Sequence, residues 1–287
     1  MDERRVRLTS PERLVWPRLN VTKRDVFEYY ARVAPLLVPH LADRPVTLTR
    51  FPEGVERYGW YQTQCRGPAW VRRRRVATQD YCLLDDAASL LWAVNAGTVE
   101  LHPLLSRGER VDEPTALVFD LDPGPPAGLV ECSEVALQLR AGLAAVGLDA
   151  VVKTTGSLGL HLAVPLAPGH RYAETKPFAR LLAERLAADR PDRVVATIAR
   201  SARAGKVLVD WAQNARARSL VAPYSLRATA VPAVSTPVAW EEVEGAAAER
   251  RPERLVFSPA EVLERVERIG DLFVAALAGT ARLPSSR

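Results

Sequence analysis

The sequence is poor in cysteine and has no long apolar run. Its 287 residues include three cysteines, Cys65, Cys82 and Cys132, and no CxxC pair. This spacing argues against a disulfide framework and a zinc site, so we expect three buried or unreactive thiols. No segment is long and apolar enough to span a membrane, and no apolar signal region follows the charged start MDERRVRLTS. These absences predict a cytoplasmic protein with no membrane partner.

Positive charge is in moderate excess. The formal net charge is +5 and the isoelectric point is about 9.3, which favours an anionic partner without identifying one. The densest cationic run is VRRRRVATQD, which contains Arg72–Arg75. It is either a solvated charged loop or a patch that follows a phosphate backbone, and both interpretations stay open.

The spacing of apolar residues predicts a mixture of helices and strands. TKRDVFEYYARVAPLLVPHLADRP predicts a helix capped by Thr22, and CSEVALQLRAGLAAVGL predicts one capped by Ser133 and ended by Gly147. Strands are predicted for RPVTLTRFP, TVELHPL, ALVFDLDPG, KVLVDWAQN and RSLVAPYSLRA. VPAVSTPVAWEEVEG predicts an extended segment, followed by a helix capped by Ser258. This order indicates an α/β or α+β fold built on a mixed sheet.

Two acids interrupt the apolar strand LVFDLDPGP. Asp120 and Asp122 point to one face of the strand, while Phe119 and Leu121 point to the other. Carboxylates this close repel each other, and a hard divalent cation would relieve the repulsion. Asp-Pro-Gly is also a common turn, which explains Asp122 but not Asp120. A further strand-borne acid, Asp210 in GKVLVDWAQN, would complete a two-metal site if it met this pair, which the sequence does not prove.

The stretch TTGSLGLHLAVPL places small hydrogen-bond donors around a turn. Gly156 and Gly159 permit an open turn with exposed N–H groups, which suits a phosphate chain. Thr155 and Ser157 add hydroxyl groups, and His161 begins the returning strand. The stretch is not a P-loop, because it lacks Gly-Lys-Ser/Thr and is followed by a strand. A plain hairpin turn is the alternative.

The segment ARSARAGKVLVDWAQNARARSLVAPYSLRA is rich in donors suited to phosphate oxygens. These donors are Arg200, Arg203, Lys206, Gln213, Arg216, Arg218 and Arg227. An ordinary surface position is the simpler explanation for Arg216.

These motifs, with LTSPERLVWP and the final helix, resemble the polymerase (primase-polymerase) domain of bacterial ATP-dependent DNA ligase D, within the archaeo-eukaryotic primase superfamily. The resemblance covers nearly the whole chain. It implies a primase-like core of mixed or antiparallel sheets flanked by helices. It also implies a nucleotidyltransferase that adds ribo- or deoxyribonucleotides to primer 3′ ends in repair such as non-homologous end joining.

The resemblance assigns roles to particular residues. Asp120, Asp122 and Asp210 would hold two Mg²⁺ or Mn²⁺ ions and act in catalysis. The nucleotide and its triphosphate would be bound by His102, Thr155, Ser157, Gly159, His161, Arg200, Arg203, Gln213 and Arg227. DNA would be bound by Arg13, Lys23, Arg50, Trp60 and Tyr61, the two aromatics stacking on template bases unless they are core residues.

Three positions depart from the family pattern. Leu158 replaces a lysine in the turn that usually reads Gly-Ser-Lys-Gly, and Thr49 and Thr63 replace lysines in the DNA-binding part. Nucleotide affinity and recognition of a 5′-phosphate are therefore open. A weakened paralogue that binds DNA ends or nucleotides is the alternative function. A carboxylate-pair hydrolase such as a glycosidase is disfavoured, because acids side by side on one strand do not face each other across a substrate.

The resemblance implies one primase-polymerase domain over residues 1–280. It would comprise a DNA-binding part over about 1–110, a catalytic core over about 111–231 and a C-terminal segment with a helix over 232–280, before a frayed tail at 281–287. The sequence shows no ligase nucleotidyl-lysine motif and no nuclease domain, so we expect a free-standing paralogue or an excised domain. The expected partners are gapped or broken DNA, nucleoside triphosphates, a ligase and a Ku-type end-binding protein, with the protein associated with the nucleoid.

Overall fold

Helices and short strands alternate along the computed structural model, which describes residues 4–284. In this range the helices are α1 (Lys23–Leu41), α2 (Ala87–Asn95), α3 (Leu129–Ala144), α4 (Tyr172–Asp189), α5 (Trp240–Ala248) and α6 (Pro259–Ile269). The strands in the first half of the chain are β1 (Leu14–Trp16), β2 (Val21–Thr22), β3 (Pro45–Arg50), β4 (Trp60–Gln62), β5 (Arg73–Val76), β6 (Gln79–Leu83), β7 (Thr98–Pro103) and β8 (Ala116–Pro123). The remaining strands are β9 (Val151–Thr154), β10 (Leu160–Pro165), β11 (Val194–Val195), β12 (Val207–Asp210), β13 (Leu226–Arg227), β14 (Ala233–Val234) and β15 (Pro237–Val238). No helix in the described range is long and apolar enough to cross a membrane.

The chain divides into two compact units. The first runs to Glu109 and includes Ser219–Ser235 and Ser258–Gly270. The second comprises Arg110–Arg218, Thr236–Phe257 and the segment that begins at Asp271. The predicted single domain with a DNA-binding part, a catalytic core and a C-terminal segment is defined by function, and it stays a prediction.

The first unit is built on a five-stranded antiparallel sheet. Its strands lie in the order β4-β3-β6-β5, and β7 also pairs with β3. Helix α1 begins as predicted, because Thr22 Oγ1 accepts a hydrogen bond from the Asp25 N–H and the Asp25 carboxylate accepts one from the Thr22 N–H. Its buried face includes Tyr29 and Tyr30, whose hydroxyl groups donate to the carbonyls of Tyr224 and Val99.

The second unit is built on a six-stranded mixed sheet in the order β11-β12-β8-β10-β9-β15. Strand β8 lies inside the sheet and pairs antiparallel with β10 and β12, whereas β11 and β12 are parallel. Leu117, Phe119 and Leu121 of β8 are completely buried in the core of this unit. The predicted alternation along LVFDLDPGP is therefore confirmed, and so is the mixed α/β class.

Two predicted elements are wrong in detail. Helix α3 begins at Leu129, so Ser133 lies inside it, where its hydroxyl donates to the Leu129 carbonyl instead of capping the N-terminus. The segment VPAVSTPVAWEEVEG was expected to be extended, but only the strands β14 and β15 are, and α5 then begins at Trp240. Proline marks the extended part of this segment, and the glutamates that follow favour the first turn of a helix.

The expectation of three free thiols is also wrong. Cys65 and Cys82 form a disulfide, and Cys132 is a buried free thiol. Cys82 lies in β6, and the Cys65 N–H donates to the carbonyl of Asp80 in the same strand, so the backbone brings the two cysteines together. Residues 17 positions apart become neighbours only through this pairing, which cysteine spacing alone does not reveal.

Candidate active site

Three neighbouring strands of the second unit place two acids and a histidine in one row, and a third acid lies beside it on the middle strand. Asp210, the last residue of β12, lies directly opposite Asp120 of β8, and His161 of β10 lies opposite Asp120 on the other side. Asp122 lies two residues farther along β8, opposite Leu208. The structure thus brings Asp210 to the Asp120–Asp122 pair, which strand order alone left unproven.

The charges of these acids affect one another. Burial raises the pKa of Asp122, and the negative charges of Asp120 and Asp210 add to this, while Arg203 opposes it. Arg203 Nη1 donates to Asp122 Oδ2 at 3.0 Å. Asp210 is held by the Ala212 N–H at 2.8 Å and by Gln213 Nε2 at 3.0 Å. The predicted site residues Arg203 and Gln213 therefore contact the acids, whereas the side chain of Arg200 lies outside the described part of the chain.

The acids have the chemistry of a site for hard divalent cations. Carboxylate oxygens are the preferred ligands of such ions, and a bound cation would offset the repulsion that raises the pKa of Asp122. The side chains point to other partners, however, and residues 4–284 contain no group of three or more histidine, cysteine, aspartate or glutamate residues already arranged as a metal site. The donor set therefore fits a divalent metal.

A buried lysine stands behind the acidic row. Lys153 Nζ lies 3.0 Å from His161 Nδ1, and His161 Nε2 lies 3.2 Å from Asp120 Oδ1. His161 thus bridges Lys153 and Asp120 through its two ring nitrogens. Lys153 is 3% exposed. Sequence reasoning missed Lys153, although it is a charged residue within the apolar strand AVVKT, the kind of signal that drew attention to Asp120.

The predicted phosphate turn is held by Thr155. Its Oγ1 accepts hydrogen bonds from the N–H groups of Ser157 and Gly159, at 3.2 and 3.1 Å. The N–H groups expected to be open are therefore engaged within the turn. Gly156 has a φ of +69°, and Leu158 is 60% exposed. The described contacts are those of a tight hairpin turn, the alternative given above, and a role in phosphate binding stays a prediction.

The first unit has a separate polar cluster around Glu100. His102 Nε2 lies 2.9 Å from Glu100 Oε2, while Arg227 Nε and the Ala228 N–H contact Glu100 Oε1 at 3.2 and 2.9 Å. Burial alone would raise the pKa of Glu100, but these hydrogen bonds and the Arg227 charge together lower it. The predicted residues His102 and Arg227 thus share one carboxylate. Sequence reasoning missed Glu100, although it lies two residues before His102 in TVELH.

Trp60 and Tyr61 lie on opposite faces of the first unit's sheet, because neighbouring strand residues alternate. Tyr61 is 68% exposed, and its ring meets His102 edge-on at 5.8 Å. Trp60 is partly buried and packs against Tyr58 and Arg50. Neither aromatic is a fully buried core residue, but the two cannot stack on bases at the same face.

Four cations of the first unit are linked by electrostatic coupling, Arg13 with Lys23 and Arg50, and Arg66 with Arg50. Burial and the charge of Arg13 lower the pKa of Lys23 to about 8. Burial and the charges of Arg66 and Arg13 lower the pKa of Arg50. Lys23 is 3% exposed, and its ammonium donates to the Thr9 carbonyl at 2.6 Å. The predicted DNA-binding cations are thus grouped, and one of them, Lys23, is almost completely withdrawn from solvent.

The arginine run is largely neutralised by nearby acids. Three arginines of the run Arg72–Arg75 form ion pairs: Arg72 with Asp85 at 2.7 Å, Arg74 with Glu109 at 3.2 Å and Arg75 with Asp80 at 3.1 Å. Arg216 pairs with Asp112 at 3.0 Å, as suits a surface arginine. These contacts favour a charged structural surface over a phosphate-tracking patch.

Comparison with known proteins identifies the family. Residues 22–273 match the family model of the LigD primase-polymerase domain. The multifunctional non-homologous end joining protein LigD of Mycolicibacterium smegmatis is 37% identical over 276 residues, which cover 93% of this chain and 35% of that protein. The bifunctional non-homologous end joining protein LigD of Bacillus subtilis is 26% identical, with 93% of this chain and 43% of that protein covered. The chain thus spans well under half the length of these relatives.

A solved structure agrees over the whole fold. The polymerase domain from Mycobacterium tuberculosis ligase D in complex with DNA matches with a TM-score of 0.88 and 35% identity, covering 98% of this chain and 100% of that one. LigD primase-polymerase domains are nucleotidyltransferases that need a divalent metal, and the acidic row of the second unit suits that chemistry. The resemblance drawn from the motifs is confirmed: this chain belongs to the LigD primase-polymerase domain family.

Proposed function

We propose that this protein is a DNA-dependent nucleotidyltransferase that extends primer 3′ ends at gapped or broken DNA during end joining. The observation that carries the proposal is the register of β12, β8 and β10, which aligns Asp210, Asp120 and His161 across three strands. Family membership supplies the reaction class, and the relatives' names supply the repair context.

In this proposal Asp120, Asp122 and Asp210 hold two Mg²⁺ or Mn²⁺ ions. Such a pair would activate the primer hydroxyl and stabilise the departing pyrophosphate. The protein's own residues prepare the carboxylates. The Lys153–His161 pair orients Asp120, and Gln213 with the Ala212 N–H orients Asp210. Arg203 supplies positive charge beside Asp122. When a metal takes the place of Arg203 as the partner of Asp122, the Arg203 guanidinium would be available to bind a phosphate oxygen.

The proposal also includes the wider setting. The cation group of Arg13, Lys23 and Arg50 would contact DNA phosphates, while His102 and Arg227 stay predicted nucleotide contacts. A ligase and a Ku-type end-binding protein are the proposed partners, because the relatives are named for non-homologous end joining. The corresponding place of action is the cytoplasm, at the nucleoid.

Primer extension with Asp120→Asn and Asp210→Asn tests the metal site. Each change removes one anionic ligand, so incorporation with Mn²⁺ or Mg²⁺ should fall by about 100-fold or more, as when a preorganised charge is lost from an active site. Asp149→Asn, at an exposed position of the same unit, should leave the rate unchanged. Isothermal titration with Mn²⁺ should show weakened binding for the first two variants only. Equal extension by Asp120→Asn and the native protein would remove the metal site from the proposal.

A second candidate is a binding module without polymerase activity. It is favoured by the exposed Leu158 in the turn and by the engagement of the turn N–H groups with Thr155. Three neighbouring acids argue against it, because carboxylates repel an anionic ligand unless a cation accompanies them. Native-strength DNA binding with no incorporation under any divalent metal would select this candidate.

A further inference from the structure

An exposed aromatic extends the packing around Trp60. The rings of Tyr58 and Trp60 are stacked, with centroids 6.4 Å apart and planes 19° from parallel. The Arg50 guanidinium lies over the Trp60 ring, 5.7 Å from its centroid. Tyr58 itself is 82% exposed. Packing within the sheet accounts for Arg50 and Trp60, but it leaves most of the Tyr58 surface uncovered.

This Arg50–Trp60–Tyr58 stack faces away from Tyr61. Directly paired residues of antiparallel strands share a face, and the register pairs Arg50 with Trp60 and Thr49 with Tyr61. Tyr61 therefore lies with Glu100 and His102, whereas the stack lies on the opposite face. A base held at Tyr61 cannot be the base that Tyr58 meets, so the two tyrosines would serve different nucleotides.

The stack is also cationic. Arg50 is fixed by hydrogen bonds to Gln62 Oε1, at 2.8 Å, and to the Ala96 carbonyl. Burial lowers the pKa of Arg50, and the positive charges of Arg66 and Arg13 lower it further, which places these three cations near one another. Exposed aromatic rings next to grouped cations are the usual features of a surface for single-stranded nucleic acid, since rings stack on bases and cations attract the backbone.

We propose that the exposed ring of Tyr58 stacks on an unpaired nucleobase of single-stranded DNA, at a position distinct from the one served by Tyr61. Only the choice of DNA as the ligand rests on the proposed function. The stacking itself follows from the geometry, because Trp60, which Arg50 also contacts, packs against the Tyr58 ring, and most of the Tyr58 surface stays exposed. No base-specific hydrogen bond is needed, so this contact should accept any of the four bases.

Fluorescence anisotropy with a labelled 12-nucleotide single strand tests the proposal. Tyr58→Ala should weaken binding at least about fivefold, the lower limit expected for one stacked base. Tyr58→Phe keeps the ring and should bind within twofold of the native protein. Ile269→Ala removes an exposed apolar side chain elsewhere in the first unit and should have no effect. Thermal unfolding of each variant checks that the fold is intact.

Abasic substitution then locates the base. With the native protein, removal of the base at one nucleotide position of the DNA should weaken binding. With Tyr58→Ala, removal of the same base should leave the affinity unchanged. Native-like binding by Tyr58→Ala, or an unchanged abasic pattern, would overturn the inference. Primer extension by Asp120→Asn tests the proposed function independently of this DNA-binding result. If that variant extends primers normally while Tyr58→Ala loses affinity, the metal site fails and the stacking surface stands.

Discussion

Lys23 is a residue whose environment opposes its own charge. Burial and the Arg13 charge lower its pKa to about 8 from an ordinary value of 10.5. Between these pH values the unfolded chain keeps the proton that the folded protein has released, so the Lys23 contribution to the free energy of unfolding rises with pH. We therefore expect the free energy of unfolding of the native protein, minus that of Lys23→Met, to increase from pH 7 to pH 9.5. Urea denaturation across this range measures the difference.

The same substitution at Lys206, whose ammonium donates to the Pro191 carbonyl, serves as the control for the loss of a lysine hydrogen bond. The range stops below pH 10 because burial raises the pKa of Tyr29 and Tyr30, so their titration favours the unfolded chain at higher pH. A flat difference for Lys23→Met would contradict the lowered pKa. An increase would also mean that Lys23 loses its value as a phosphate-binding cation above about pH 8.

At the residue scale, sequence reasoning succeeded where a charge interrupts an apolar strand. Asp120 and Asp210 stand out for this reason, and the structure aligns them. Lys153 gives the same signal, but it had no predicted role. Glu100 and Tyr58 were missed because their significance depends on cross-strand neighbours, which sequence alone does not supply.

Strands β8 and β10 approach so closely at Gly159 that no side chain fits. A Cβ atom there would lie 2.0 Å from the Leu121 carbonyl oxygen, a backbone atom between Asp120 and Asp122. Gly159→Ala must therefore displace one strand, and we expect a loss of about 1–3 kcal/mol in the free energy of unfolding, as for other overpacked sites. Movement of either strand disturbs the pairing of Asp120 with His161, so primer extension should fall as well. Urea denaturation and primer extension measure the two effects.

Gly142 in α3 supplies the matched control. A Cβ atom there meets no other atom within 4 Å, so Gly142→Ala should stabilise the protein by about 0.5–1 kcal/mol through helix propensity. If Gly159→Ala were as stable as the native protein, the close strand approach would be disproved.

Elements with their own local signals were predictable, and others were not. The capping boxes at Thr22 and Ser258 mark the starts of α1 and α6, and both helices begin there. Helix α3 lacks a side-chain cap, since Gly128 precedes it, and its start was placed too late. The predicted strand RSLVAPYSLRA and the predicted extended segment VPAVSTPVAWEEVEG contain only the two-residue strands β13, β14 and β15, which are too short for a period-two pattern to locate.

At the scale of the whole molecule, the sequence indicated the family but not the cross-link. The motifs that suggested a primase-polymerase domain extend over nearly the whole chain, and the fold matches over 98% of it. The formal charge of +5 is compatible with a nucleic-acid partner, yet the densest arginine run is paired internally. Net charge therefore pointed to the class of partner, and only the structure showed which cations are grouped.

The Cys65–Cys82 disulfide makes stability depend on the redox state of the solution. Closing a loop of 17 residues limits the unfolded chain, which stabilises the folded state by about 3 kcal/mol in the chain-entropy description. We expect reduction with dithiothreitol to lower the midpoint of thermal unfolding by several degrees. The double variant Cys65→Ser/Cys82→Ser should unfold at the lower temperature with or without reductant. In denaturant, the oxidised native protein should expose one reactive thiol, from Cys132, and the reduced protein three. Three thiols before reduction, or a midpoint that ignores the reductant, would show that the cross-link does not stabilise the protein in solution.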